Sequence, residues 1–185
     1  ALKHRPISIY LAPNVTDMTP QVLNLKNSGA ELVLMFHDSL ELLYRAMPKA
    51  NYKPVVAGNW GLSSQMVLNI VGQEALEGTV MGQALDLGDA KAAAFNAKMS
   101  KEFGDKYRWP VVAALGYDGM RILLQALDRA GGDPLKIQKA LETTTGFKAV
   151  SGTPEKPFGP KDHECLDAEN VFLGVWKGGR VVKLR

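Results

Sequence analysis

The sequence predicts an α/β fold built on a doubly wound parallel sheet. Three observations carry this. Short apolar runs alternate with amphipathic ones through the first half of the chain. The joints between them are brief and punctuated by Gly, Pro and Asn. The second half then changes to longer amphipathic runs and closes on one alternating segment.

Residues 6–12, with Ile7, Ile9, Tyr10 and Leu11, read as the first strand. A helix is expected over 17–28, with Asp17 or Thr19 as its cap, Pro20 in its first turn and Gly29 as its stop. Residues 31–36 are nearly all apolar, the pattern of a strand covered on both faces. A helix over 39–47 places Leu40, Leu43, Tyr44 and Met47 at helical spacing. Strand 53–57, helix 63–71 and strand 79–83 follow. This order, with its short connections, implies parallel strands joined by right-handed crossovers.

Residues 90–103 and 110–130 read as longer amphipathic helices and 133–142 as a shorter one. Gly131-Gly132-Asp133-Pro134 stops one helix and caps the next. From Phe147 onward come short strands and turns at Gly152, Pro154, Pro157, Gly159 and Pro160. Residues 171–184 alternate about Lys177-Gly178-Gly179, as a β-hairpin does. The composition shift at 85–89 marks a boundary between two packing units.

With 185 residues, 46% hydrophobic and 22% charged, the chain can bury a core and lies outside the disordered class. The net charge of +3 is small and its basic residues are scattered, with Lys3-His4-Arg5 the densest cluster. A nucleic-acid surface would need a basic stripe interleaved with aromatics, so nucleic acid is not an expected partner. Cys165 stands alone, which excludes an internal disulfide and a cysteine-based metal site. His4, His37 and His163 fall in no metal-ligand spacing, and no serine sits in a G-x-S-x-G elbow. Asp162-His163 is at most half of a triad, and Gly116-Tyr117-Asp118-Gly119 lacks the spacing of a phosphate cradle. No cofactor and no catalytic role are therefore expected. No apolar run approaches the ~20 residues of a membrane helix. The polar opening at Ala1 is what a mature exported chain would show.

In an open parallel sheet, ligands bind beyond the carboxyl ends of the strands. That rule selects four loops: at Pro13-Asn14, at His37-Asp38-Ser39, at Asn59-Trp60-Gly61 and at 83–86. They are expected to face one crevice. Their contents suit a polar ligand with a flat or apolar part, and the candidate binding residues are His37, Asp38, Asn59, Trp60 and Gln83. Each also has a plainer role. Trp60 could cover a core edge, His37-Asp38 could cap a helix, and Gln83 could be an ordinary satisfied strand-end group.

Four stretches then carry a family likeness. They are the helix-then-strand run of 17–34, the turn Leu76-Glu77-Gly78-Thr79-Val80, the helix 114–130 with Tyr117-Asp118, and Phe158-Gly159-Pro160-Lys161-Asp162-His163 before the Gly178-Gly179 hairpin. In this order they resemble the second half of type I periplasmic solute-binding proteins, the leucine/isoleucine/valine-binding family of ABC importers.

The resemblance implies a two-lobed clamp in the periplasm that closes over a solute and docks on a membrane permease. Residues 1–86 and 171–185 would form most of lobe two, without its first strand-helix unit. Residues 87–170 would be the segment returning to lobe one. A partner fragment carrying the first half, or a homodimer, would complete both. Lobe-two ligand contacts fall on the His37 region and on Asn59-Trp60. The acidic residue that meets the ligand ammonium in amino-acid binders falls near Trp60. The aromatic there, with Asp38 able to substitute for the acid, favours an aromatic or other small carboxylate over a branched-chain amino acid. A ligand-sensing domain of the same fold, or an enzyme of flavodoxin-like topology, are the alternatives.

Overall fold

The computed structural model describes residues 6–37 and 39–184. The Lys3-His4-Arg5 cluster and Asp38 lie outside them. In chain order the described elements are α1 (Thr19–Asn27), β1 (Leu32–Met35), α2 (Leu40–Lys49), β2 (Val55–Gly58), a 3-10 helix at Trp60–Ser63, α3 (Gln65–Val71), α4 (Gln73–Leu76) and β3 (Val80–Gln83). There follow α5 (Ala90–Phe103), a 3-10 turn at Gly104–Lys106, α6 (Pro110–Ala130), α7 (Pro134–Glu142), β4 (Phe172–Lys177) and β5 (Arg180–Lys183). The expected α/β class is what the chain adopts.

The five strands form one sheet in the order β1-β2-β3-β4-β5. β1, β2 and β3 are parallel, and the hairpin β4-β5 adds antiparallel to β3. The register Met35↔Gly58 and Gly58↔Met81 keeps the carboxyl ends of the parallel strands at one end of the sheet. Gly58 is needed for that fit, because a Cβ there would lie 2.3 Å from the Met35 carbonyl oxygen.

Strand alternation divides the side chains between two faces. Val33, Met35, Val56, Met81 and Trp176 point to one, where Val22 of α1, Leu40, Leu43 and Met47 of α2, Val67 of α3 and Leu76 of α4 bury them in a single core. The Tyr44 hydroxyl bonds the Thr79 hydroxyl at 2.7 Å inside this core, and burial pushes its pKa up to about 12 against the lowering effect of that bond. The Trp176 ring closes the far side, its Nε1–H donating to the Leu62 carbonyl at 2.8 Å. A second, smaller core gathers Ala84, Leu85, Ala92, Phe95, Val111 and Ala114.

Two expectations are corrected. The run 31–36 is not covered on both faces. Val33 and Met35 are buried, but Leu32, Leu34, Val55 and Leu173 on the opposite face are 53–62% exposed. Continuous apolarity reports that a strand wants cover on both sides, and only one side receives helices here. Residues 6–12 form no strand. They carry β-forming side chains, yet a strand exists only where a neighbour pairs its backbone. Between this segment and the free edge of β1 lies a groove of about 900 Å³, lined by Ile7, Ile9, Leu11, Val22, Leu32 and Leu34 among others.

The helices from Pro110 to Glu142 are mixed in the same way. Val112 and Leu123 of α6 are exposed, while Ile122 and Ala126 are buried. Asp118, on the same helix, is fully buried. Its carboxylate accepts the backbone N–H groups of Val150 and Ser151 and the Ser151 hydroxyl at 2.7–3.1 Å, pinning the returning loop to α6.

Candidate functional site

The carboxyl end of the sheet positions the sequence-selected residues. β1 ends at Met35 and the chain turns through His37 into α2. Of the two caps the sequence offers, Asp38 lies outside the described residues and Ser39 does not act through its side chain. Ser39 is the N-cap residue and makes no side-chain cap bond, while the His37 Nδ1 accepts the Ser39 backbone N–H at 3.0 Å. With Nδ1 accepting, the neutral ring carries its proton on Nε2, which is left as a donor. His37 is half-buried.

β2 ends at Gly58 and passes directly into the 3-10 helix. Asn59 caps that turn, its Oδ1 accepting the Gly61 N–H at 2.8 Å, and a Cβ on Gly61 would lie 2.9 Å from the same oxygen. Asn59 thereby holds Trp60 in place without burying it. Trp60 is 38% exposed, whereas Trp176 is buried at the core edge. His37 and Trp60 therefore stand at the same end of the sheet, one strand apart. Pro13-Asn14 forms a turn but follows no strand.

Gln83 ends β3 at the same end of the sheet but points elsewhere. It shares the helix-covered face with Met81, is 3% exposed, and its Nε2 has no hydrogen-bond partner among the described residues. A cavity of about 460 Å³ opens beside it, reached by Ser63, Tyr107, Val111, Trp176 and Arg180. Sequence reasoning missed these lining residues. The inward phase of Trp176 in the hairpin was a readable signal for one of them. The Tyr107 hydroxyl donates to the Asn96 Oδ1 at 3.0 Å, and burial pushes its pKa up to about 12.

A third cavity, of about 380 Å³, lies by Asp86, Asp89, Ser151 and Lys183. Of its three acidic residues, Asp86, Asp89 and Glu169, two are occupied locally: Asp89 caps α5 through Lys91 N–H and Ala92 N–H, and Asp86 accepts from Gly88 N–H. Among the described residues no group of His, Cys, Asp and Glu is arranged to hold a metal ion. No described helix is long and apolar enough to cross a membrane.

Comparison with known proteins agrees with this architecture. The sequence model of a family described as periplasmic binding protein matches residues 7–180. The Leu/Ile/Val-binding protein homolog 7 of Brucella abortus (strain 2308) is 25% identical over 186 residues, covering 91% of this chain and 44% of that protein. The chain thus spans under half the length of this curated relative. Among solved structures, a type 1 periplasmic binding protein from Bordetella pertussis superposes with a TM-score of 0.74 at 23% identity, over 92% of this chain and 50% of the other. A solute-binding protein of an ABC transporter from Rhodopseudomonas palustris, solved in complex with benzoate, gives 0.71 at 20% identity, over 94% and 48%.

Proposed function

The chain belongs to the periplasmic binding protein family, and from that premise we propose that it forms much of the solute-gripping machinery of an ABC importer, taking a small carboxylate between two lobes. The observation that carries this reading is the shared rim of β1 and β2, where the His37 Nε2 donor and the exposed Trp60 ring stand one strand apart. Such a rim at the carboxyl end of a parallel sheet is where this architecture places ligands. Asn59 fixes the Trp60 turn, and Asp38 follows His37 in the sequence. Trp60 supplies a flat apolar wall and His37 a donor for a carboxylate oxygen.

Residues 1–86 with 171–185 are assigned to one lobe and 87–170 to the segment returning to the other. The two separate cores, one drawn from residues 18–81 with Trp176 and one from 84–114, support a division close to this point, with Ala84 and Leu85 already in the second core. The remainder of each lobe comes from further polypeptide or a second copy, and the closed form docks on a membrane permease from the periplasm. The role is binding, not catalysis. Relatives named for leucine, isoleucine and valine, and a structural neighbour holding benzoate, bracket the ligand class between an amino acid and an aromatic acid.

Calorimetric titration of the full-length protein with benzoate and with leucine tests the reading. Trp60→Ala is expected to weaken the binding ligand by ~1–3 kcal/mol. His37→Ala is expected to weaken a carboxylate more than its amide. Unchanged affinity in both variants would move the site away from this rim.

A further inference from the structure

We propose that Asp118 is a positioning residue for the solute grip. Through Val150 and Ser151 it holds Gly152 against the two passages of chain between the packing units, and so sets the angle between those units. The proposal deepens the two-lobed reading above and rests on it.

The path of the chain comes first. Met81 of β3 lies in the larger core, while Ala84 and Leu85, just beyond the strand, belong to the smaller. The return runs from Leu166, packed on the smaller core, to β4, whose Trp176 lies in the larger. The described chain thus passes between the units at Ala84 and again near Asn170. Gly152 sits between these passages. Its N–H donates to the Ala84 carbonyl, and a Cβ on it would lie 2.3 Å from the Asn170 carbonyl oxygen and 3.3 Å from that of Ala84. Backbone this close leaves room for glycine alone.

A carboxylate holds Gly152 there. A buried charge is costly unless hydrogen bonds satisfy it, and Asp118 is fully buried on α6. The Val150 N–H reaches both of its oxygens at 3.1 Å, and Ser151 gives its N–H at 2.9 Å and its hydroxyl at 2.7 Å. Bonds to a charged acceptor are roughly twice as strong as neutral ones. Arg121, one turn on, extends the hold on the same loop, its guanidinium donating to the Lys148 carbonyl at 2.8 Å and lying 4.9 Å from the centre of the Phe147 ring. Among the described residues the Asp118 carboxylate bonds Val150, Ser151 and Arg121, and not the rim at His37 and Trp60. Its effect on a solute therefore runs through the angle between the units.

Close packing does not brace this crossing. The cavity of about 380 Å³ borders Ala84, Ser151, Gly152 and Asn170, room for several waters at ~30 Å³ each. The crossing has space to bend, and bending between domains is taken up by a few such residues. The staple selects one arrangement.

The test reads the angle without needing a ligand. In the full-length protein, p-acetylphenylalanine replaces the exposed Glu74 in one unit and the exposed Lys136 in the other, and each carries a spin label. Pulsed electron resonance then gives the distance distribution between the units. Asp118→Asn keeps the shape but turns an amide toward the Val150 and Ser151 donors, and is expected to broaden that distribution. Gly152→Ala is expected to shift its mean, because the Asn170 carbonyl must give way. Ile122→Ala, buried on the same helix and outside these bonds, controls for lost stability and should leave the distribution unchanged. For whichever of benzoate or leucine binds the wild type, Asp118→Asn should weaken affinity at least about fivefold. An unaltered distribution in both Asp118→Asn and Gly152→Ala would overturn the proposal. Equal broadening in Ile122→Ala would do so too, since Asp118 would then be a staple for stability alone. A broadened distribution with unchanged affinity would overturn the link to the grip. Wild-type protein that binds neither benzoate nor leucine would count against the ligand class proposed above, and the distances would still decide the role of Asp118.

Discussion

The two faces of the sheet come from the same strands and differ in one respect, what lies against them. On one face Val33, Met35, Val56, Met81 and Trp176 are buried beneath helices α1 to α4. On the other, Leu32, Leu34, Val55 and Leu173 face solvent although they are no less apolar. Composition therefore does not decide burial. A strand offers both faces equally, and helices α1 to α4 all fall on one. An apolar sheet face with an open edge beside it is a surface that calls for a partner.

Paired substitutions test the difference most severely. Met81→Ala, on the covered face, is expected to destabilise residues 1–185 by ~2–5 kcal/mol in urea unfolding. Leu34→Ala, on the bare face, should stay within ~0.5 kcal/mol in the same chain. Repeating Leu34→Ala in the full-length protein sharpens the result. A cost above ~2 kcal/mol there would show that further polypeptide covers this face.

The covered face should also report through pH. Tyr44 is held neutral by burial, with its pKa raised to about 12 from an ordinary 10.0. In the unfolded chain the phenol ionises first, so the unfolded state loses its proton while the folded state keeps it. Stability from this group is complete below pH 10 and is lost as pH rises toward the folded value. The loss amounts to roughly 2–3 kcal/mol, and Tyr44→Phe should flatten that slope. An unchanged slope in Tyr44→Phe would mean that another group governs the alkaline limb.

The smallest energetic effect concerns the bare face alone. Leu34→Lys with Leu173→Lys should alter the stability of residues 1–185 by no more than ~0.5 kcal/mol per site. It should nevertheless convert a self-associating species to a monomer in light scattering. A wild-type chain that is already monomeric, with a cooperative melt, would show that the exposed face needs no cover.

What the sequence determined by itself was everything that depends on near neighbours. Helices 90–103 and 110–130 appear with the expected bounds, since their periodicity and their Gly and Pro boundaries are local. The hairpin follows from alternation about Gly178-Gly179, both of which have positive φ. The common end of the sheet where His37 and Trp60 stand follows from the βαβ order. Tertiary structure decided the rest. Residues 6–12 have strand chemistry but form no strand, because pairing belongs to two segments at once. Gln83 shares a sheet end with Trp60, yet the phase of β3 turns its side chain onto the helix-covered face beside a different cavity. Asp118, read as part of a failed glycine motif and of a family-like helix, became a buried staple because Val150 and Ser151 bring their N–H groups to it from more than 30 residues away. Direction and distant partnership are properties of packing, and local sequence encodes neither.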